Sequence, residues 1–115
     1  MANTFKLVTK ANVTSADVIY TVAASTTTII LGLMLGNTTS ASTTATVSLG
    51  SDTAARAGNN DEANQTVELI TGTSIPGTSS LEIMGGNKIN MEATDTLSVT
   101  AGAATDGILS VMEST

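Results

Sequence analysis

The feature that most constrains this chain is an alternation of apolar and polar residues with a period of two. It is clearest in residues 81–99, LEIMGGNKINMEATDTLSV, where three short segments each alternate: Leu81-Glu82-Ile83, Ile89-Asn90-Met91 and Leu97-Ser98-Val99. In extended backbone, successive side chains point to opposite sides, so this period places one side of each segment in a core and the other in water. The pattern therefore predicts three β-strands.

The connections between these strands contain residues that favour turns. Residues 85–88, GGNK, and residues 92–96, EATDT, include glycine and asparagine, which tolerate positive φ, and aspartate and threonine, which bond to nearby backbone amides. Connections of four or five residues are too short for a helical crossover. We therefore expect the three strands to form an antiparallel meander of hairpins.

The same alternation recurs over the rest of the chain. The other predicted strands cover residues 5–8, 18–23, 29–36, 44–49, 67–70 and 108–113. The sole proline, in Pro76-Gly77, suits a type II turn in which proline supplies a fixed φ and glycine the left-handed position. Eight or nine short strands spaced by about ten residues indicate a sandwich or a barrel. We predict an all-β, antiparallel β-sandwich that is jelly-roll-like, with an immunoglobulin-like Greek-key sandwich as the alternative.

Residues 26–39, TTTIILGLMLGNTT, form the most hydrophobic part of the chain. The isoleucine and leucines at alternate positions from 29 to 35 would share one face of a strand, with Ile30 and Met34 on the opposite face. Because both faces are largely apolar, we expect a central strand or an intersubunit surface. A helix is the competing interpretation, which we reject because two glycines interrupt the run and threonines flank it. Its eight or nine apolar-compatible residues fall short of the roughly 20 that a membrane-spanning helix needs, so we predict a buried strand.

The 115 residues fit a single β-sandwich domain spanning residues 1–115. Phe5 and Tyr20 are the only aromatic residues, so the core has to be built from aliphatic side chains, which suits thin sheet-on-sheet packing. The polar residues 50–64 are expected to form one long loop, with a helical turn at 53–57. Residues 1–12 have two interpretations: an N-terminal arm laid across a neighbouring subunit through Phe5 and Leu7, or an ordinary first strand.

Composition limits the partners that the chain can have. A hydrophobic fraction of 41% with only 12% charged residues is not that of a disordered tail. The net charge of −6, with four cationic residues, argues against binding to nucleic acid or to an anionic membrane surface. The absence of cysteine excludes disulfides and is compatible with assembly in a reducing bacterial cytoplasm. The N-terminus lacks the pattern of a secretory signal.

No reactive centre is apparent in the sequence. Without histidine or cysteine, the chain cannot build a Ser-His-Asp or Cys-His nucleophile and lacks the usual transition-metal ligands. Glu82, Glu92 and Asp95 are close in sequence, as a glycosidase pair would need, but each falls at an outward position or in a turn, so we interpret them as solvated carboxylates. Residues 59–62, NNDE, lack the remainder of a calcium loop. We predict no enzymatic activity, no cofactor and no bound metal.

Two further motifs carry little functional information. Asn12, Asn37 and Asn64 each begin an Asn-x-Thr triplet, which chance produces readily in a threonine-rich chain that lacks a secretory signal. Gly85-Gly86 is followed by neither a helix nor a lysine-threonine pair, so we interpret it as a hairpin turn and not as a phosphate cradle.

Most of the chain resembles small virion structural proteins of tailed bacteriophages, chiefly cyanophages and other marine phages. The segments that carry the resemblance are MANTFKLVTKANV leading to VIYTVAASTTTIILGLMLGNTT, then IPGTSSLEIMGGNKINMEATDTLSVTAG, and DGILSVMEST at the end. These segments share an order of strands with that group, not a reactive motif. The resemblance implies a small β-sandwich, present in many copies, whose whole function is to bind other virion proteins.

Among positions on a virion, the resemblance favours a capsid cement or decoration protein that bridges major capsid protein subunits, as a homo-oligomer and often a trimer. The virion would be assembled in the cytoplasm of the host bacterium. The alternative is a tail, neck or baseplate component, including a fibre-attachment module or one that binds a host receptor or glycan. The residues expected at the contacts are Phe5, Leu7, Ile30, Met34 and Arg56, the last being the only arginine.

Overall fold

A computed structural model describes residues 2–51 and 65–115, which form nine strands and no helix. The strands are β1 (Asn3–Val13), β2 (Ala16–Thr21), β3 (Thr27–Asn37), β4 (Thr43–Ser51), β5 (Gln65–Ile75), β6 (Ser80–Glu82), β7 (Ile89–Met91), β8 (Thr96–Ala101) and β9 (Thr105–Ser114). The predicted all-β class is confirmed. In these two ranges there is accordingly no helix of the length and apolarity that crossing a membrane requires.

The strands form two antiparallel sheets. The five-stranded sheet has the order β1-β9-β3-β6, with β7 also paired to β3, and the four-stranded sheet has the order β2-β8-β4-β5. Since β6 and β7 both pair antiparallel with β3, they act as two pieces of one strand. The first strand then pairs with the last, the second with the next to last, and so on inward to β4 and β5. This nested pairing is the order expected of a jelly roll. The predicted antiparallel β-sandwich is confirmed.

The predicted meander over residues 81–99 is wrong, although all three strands exist. β6 and β7 pair with β3 and not with each other, and β8 lies in the other sheet between β2 and β4. The glycine turn is present, with φ of 56° at Gly85 and 89° at Gly86 and a hydrogen bond from Asn87 N to Met84 O, but it forms an excursion between the two pieces. Alternation shows which side of a strand is buried; it does not identify the neighbouring strand.

One extra residue in β3 changes which side chains face the core. The pairing of β3 with β9 shifts register between Ile30 and Gly32, so Leu31 is the additional residue of a β-bulge. Ile30 is fully buried before the bulge, and Leu33 and Leu35 are buried after it. The prediction that residues 29 to 35 alternate in a single phase is therefore wrong. The prediction of a buried central strand is confirmed, because β3 lies between β9 and the β6–β7 pair.

The core lies between the two sheets and contains aliphatic side chains from both. Its largest fully buried members are Val13, Val22, Ile30, Leu33, Leu35, Val47, Ile75, Met91, Leu97, Val99, Leu109 and Val111. None of these is aromatic, as the composition required. Burying such side chains stabilises a fold by about 1.5–3 kcal/mol each, which makes this layer the main source of stability.

The two ends of the described chain meet in the five-stranded sheet. β9 pairs with β1 on one side and with β3 on the other, so the last strand lies inside the sheet. Within the chain, β1 is an edge strand paired with β9, which is the arrangement of an ordinary first strand. β4 continues through Ser51, so the predicted loop 50–64 begins too early. The helical turn expected at 53–57 lies outside the described residues.

The turn at the proline is displaced by one residue from its predicted position. Ser79 N donates to Pro76 O, so Gly77 and Thr78 are the central residues of the turn, and Thr78 adopts the positive φ of 58°. Gly77 is needed for a different reason. A Cβ at this position would overlap the backbone carbonyl of Ser40, because the 76–79 turn packs directly on the loop that follows β3.

The side chain of Asn37 links these two loops by hydrogen bonds. Its side-chain nitrogen donates to Ala41 O at 2.8 Å and to Ile75 O at 3.0 Å, while its side-chain oxygen accepts from Thr39 N at 2.9 Å. The residue is buried, so this Asn-x-Thr triplet is structural.

We expect Asn37→Ala to lower the free energy of unfolding by about 2 kcal/mol, because removing the amide leaves buried backbone carbonyls without a donor. Urea denaturation followed by circular dichroism measures this change. The control is Asn90→Ala, since Asn90 is exposed and bonds only weakly to Glu92 at 3.2 Å; it should change stability by less than about 0.5 kcal/mol. Equal effects of the two variants would contradict the role assigned to Asn37.

Candidate functional site

The side of the five-stranded sheet that faces away from the core is unusually apolar, and we refer to it as the outer face. Four of the six exposed large apolar side chains in residues 2–51 and 65–115 lie on it: Phe5 (73% exposed), Leu7 (67%), Ile108 (48%) and Met34 (40%). The other two, Val18 and Val67, belong to the four-stranded sheet. A contiguous apolar surface on a soluble protein indicates a contact site.

Strand register arranges the outer face in rows that cross β1, β9 and β3. Residues directly opposite one another in antiparallel strands project from the same side of the sheet. The rows, each named in the order β1, β9, β3, are Phe5–Met112–Ile29, Leu7–Ser110–Gly32 and Thr9–Ile108–Met34. The middle row thus has a large side chain at the sheet edge and two small residues beside it.

Two hollows lie on this face, one on each side of Met34, because the outward positions of β3 that flank Met34 are glycines. A Cβ added at Gly32 or at Gly36 would meet no atom within 4 Å. The space over Gly32, which we refer to as the groove, has a volume of about 350 Å³ and is lined by Met34, Ile108, Ser110, Glu82 and Met84. Next to it, a space of about 660 Å³ extends over Gly36 toward the 76–79 turn. The outer face therefore combines a ridge, formed by Phe5 and Leu7, with a groove.

Charged groups on the strands lie around the outer face and not in its centre. Glu82 pairs with Met34 from the edge piece β6 and is exposed. Asp106 lies opposite Gly36 at one end, where its carboxylate accepts a hydrogen bond from Asn12 N at 2.9 Å. Lys6 projects to the opposite side of the sheet and bonds to Glu113 at 2.8 Å. An apolar centre with a polar rim is the usual composition of a protein–protein interface.

The five residues that the sequence predicted at contacts have three different outcomes in the structure. Phe5, Leu7 and Met34 are exposed on the outer face. Ile30 is a correction: it is fully buried, because the bulge at Leu31 places it on the core side of β3, so its side chain is not available to a partner. Arg56 lies outside the described residues.

Sequence reasoning missed the β9 contribution to this face. Ile108 and Met112 alternate with the buried Leu109 and Val111, and both lie on the outer face between β1 and β3. The signal was present, since a strand with apolar residues on both sides is one that is covered on both sides.

Polar groups cluster where the two sheets approach each other near the start of β3. The Tyr20 hydroxyl, from the four-stranded sheet, donates to Glu113 at 2.5 Å and lies 2.8 Å from the Thr28 hydroxyl, both in the five-stranded sheet. Burial, followed by the hydrogen bond to Glu113, raises the pKa of Tyr20 to about 12. The hydrogen bond from Lys6, followed by that from Tyr20, lowers the pKa of Glu113 below its usual value. The cluster ties the two sheets together.

Tyr20 is the only tyrosine, so its titration can be followed directly by phenolate absorbance. A pKa raised from 10.0 to about 12 in the folded state means that the stabilisation is complete below pH 10 and is lost as pH rises toward 12. We therefore expect a native titration midpoint near pH 12 and a fall in unfolding free energy between pH 10 and 12, which Tyr20→Phe would lack. A native midpoint near pH 10 would contradict the cross-sheet hydrogen bond.

The carboxylates considered for catalysis lie in different environments. Glu82 is exposed, whereas Asp95 is buried, which corrects the interpretation of Asp95 as solvated. Its carboxylate accepts from Glu92 N at 3.0 Å and so closes the turn before β8. Among the described residues, no group of three acidic side chains is placed to hold a metal ion. Residues 59–62 and Asn64 lie outside those residues.

No protein-family model matches the sequence, and a search of curated proteins finds no match. Among solved structures, a chain of the T13 particle of infectious bursal disease virus superposes with a TM-score of 0.57 and 6% identity, covering 96% of this chain and 30% of the viral one. A chain of the Gt strain of that virus gives a TM-score of 0.53 and 8% identity, with coverage of 96% and 33%. A chain of disulfide-linked pili from Bacillus endospore appendages covers 99% of this chain and 87% of its own length, at 15% identity and a TM-score of 0.48.

These similarities define the class of fold. The two viral chains share the β-sandwich at identities too low to carry a function across, and this chain spans about a third of their length. The likeness to the pilus chain is too weak to support an argument.

Proposed function

We propose that this chain is a structural protein of a tailed-bacteriophage virion and acts as a capsid cement or decoration protein. The observation that carries the proposal is the outer face, a charge-poor apolar sheet surface that residues 2–51 and 65–115 leave uncovered. A surface of this kind contributes free energy only when another protein covers it. The proposed function is therefore association, without catalysis.

Two other observations support a place on a virion. The jelly-roll pairing has neighbours among the chains of an icosahedral virus particle, and the sequence resembles small phage virion proteins. The resemblance to phage proteins favours the major capsid protein as the partner, because a cement protein bridges its subunits. Modest contacts are sufficient there, since repetition over many symmetric sites adds their free energies across the shell.

The core and the strand content of the chain also support this role. Its core is aliphatic, and Asp95 is the one ionisable side chain among the buried residues of the described part of the chain. Of the 101 described residues, 70 lie in the strands of the two antiparallel sheets. We expect such a sandwich to resist mechanical stress on a pressurised shell as a rigid unit.

The test is binding of the purified protein to expanded empty capsids of the phage that carries it. We expect saturable binding that raises the temperature at which the capsids are disrupted, because a ligand that binds only the intact shell stabilises it by mass action. Met34→Lys should weaken binding at least about tenfold, or about 1.4 kcal/mol, because it places a charge in the apolar contact.

Val18→Lys is the matched control, since Val18 is also an exposed apolar strand residue but belongs to the four-stranded sheet. It should leave capsid binding unchanged. If Met34→Lys binds as the unaltered protein does, the outer face is not the contact. If image reconstruction places the copies on the tail, neck or baseplate, the cement assignment is wrong.

A further inference from the structure

We infer that the outer face binds the outer face of a second copy of this chain, in a two-fold pair in which Leu7 of each copy enters the groove over Gly32 of the other. This inference rests on the proposed function in treating the outer face as the surface on which assembly depends. Here a second copy covers that face, so the pair is the form that would bind the capsid, through surfaces that remain exposed.

In the proposed pair, a two-fold axis brings the ridge of each copy to the groove of the other. The ridge residues lie on β1 and the groove lies on β3, and these strands flank β9 on either side. A two-fold axis that runs along β9, above the sheet, would carry β1 of one copy over β3 of the other. Each ridge would then face the partner's groove, which is the reciprocal contact that an isologous interface requires.

The register places matching residues at the same level along that axis. Leu7, Ser110 and Gly32 form one row, so the Leu7 side chain of the partner would lie over Gly32, where no atom approaches within 4 Å. In the row before, the partner's Phe5 would lie over Ile29, and both are apolar. A large side chain opposite a position without one is what allows two flat sheets to interdigitate.

Charged side chains lie at the margins of this arrangement. Glu82, on the far side of β3 from β9, lines the outer side of the space over Gly32 and has no counterpart beyond the edge strand β1, so in the pair it would lie at the rim of the contact. The ammonium group of Lys6 is held on the opposite side of the sheet by Glu113. Asp106 lies on β9 itself, opposite Gly36, so the axis would bring the two Asp106 carboxylates toward each other at one end of the contact, away from the Leu7 row.

The area of the contact between the two outer faces sets the affinity that we expect for the pair. Three strands about 4.8 Å apart and about ten residues long cover about 500 Å² in projection, and side-chain relief adds to this figure. Specific interfaces begin near about 600 Å² per partner, so the pair should be a dimer of moderate affinity that dissociates on dilution. It also differs from the trimer that the phage resemblance implies.

The first experiment is sedimentation equilibrium on the purified chain, without capsids. We expect a concentration-dependent mass that rises toward twice the 11.5 kDa of the chain. Leu7→Ala and Gly32→Leu should each raise the dissociation constant of the dimer at least tenfold. The first variant removes the side chain that enters the partner's groove, and the second fills that groove. A Cβ at Gly32 would meet no atom within 4 Å, and a space of about 350 Å³ lies above it, so we expect Gly32→Leu to keep the fold of a single copy.

The double variant distinguishes this contact from a loss of folding. In Leu7→Ala/Gly32→Leu, the new leucine of one copy would face the new alanine of the other, which restores complementarity. We expect its dissociation constant to return to within about threefold of the original value. A double variant as weak as the single ones, a constant monomer, or a trimer would overturn the inference.

A second experiment locates the axis. Because the chain has no cysteine, Ser110→Cys provides a single thiol beside the proposed axis, and a short bismaleimide should link two copies efficiently. Ser98→Cys is the control, since Ser98 faces outward from the central strand β8 of the other sheet and should not be linked. Equal linking of both variants would overturn the inference. Dimerisation without capsid binding would contradict the proposed function and leave the pair standing. Capsid binding by a monomer would contradict the pair and leave the proposed function standing.

Discussion

The pairing of β3 with β9, with its one-residue shift at Leu31, is the constraint on which the rest of the molecule depends. Before the shift, Ile30 faces the core, and after it Leu33 and Leu35 do. Without the shift, one half of β3 would place its large side chains in water and its outward residues in the core. The same shift aligns Gly32 with Ser110, and so creates the groove of the outer face. Core and surface are therefore set by a single irregularity.

Much of the architecture could be predicted from the period-two pattern, because burial on one side of a strand leaves a direct record in the sequence. The strand class and the sandwich follow from such local patterns. Pairing partners do not, since β8 has the same alternation whether it adjoins β7 or lies in the other sheet. The bulge was also not predictable, because a run in which both faces are apolar reads the same in either phase, and Ile30 was misplaced for that reason.

The proposed contact surface was predictable in part, for a similar reason. Phe5, Leu7 and Met34 are conspicuous in sequence because they lie among polar residues or on an unusually apolar strand. Their relation to Ile108 and Met112 depends on β9 entering the sheet between β1 and β3, which is a property of topology. Neither Gly32 nor Ser110 attracts attention alone, yet their position beside Leu7 gives the face its shape. The function proposed for the chain is thus carried by a surface and by no individual reactive group.

The outer face is assembled from segments at opposite ends of the described chain, since Phe5 lies opposite Met112 across the β1–β9 pair. No partial chain that lacks β9 can present this surface, because β1 and β3 are neighbours only through it. Contacts between residues so distant in sequence carry a large loop-closure cost and are slow to form. If the outer face is the proposed contact surface, a newly made molecule would present it only after β9 has entered the sheet, so that association would follow folding.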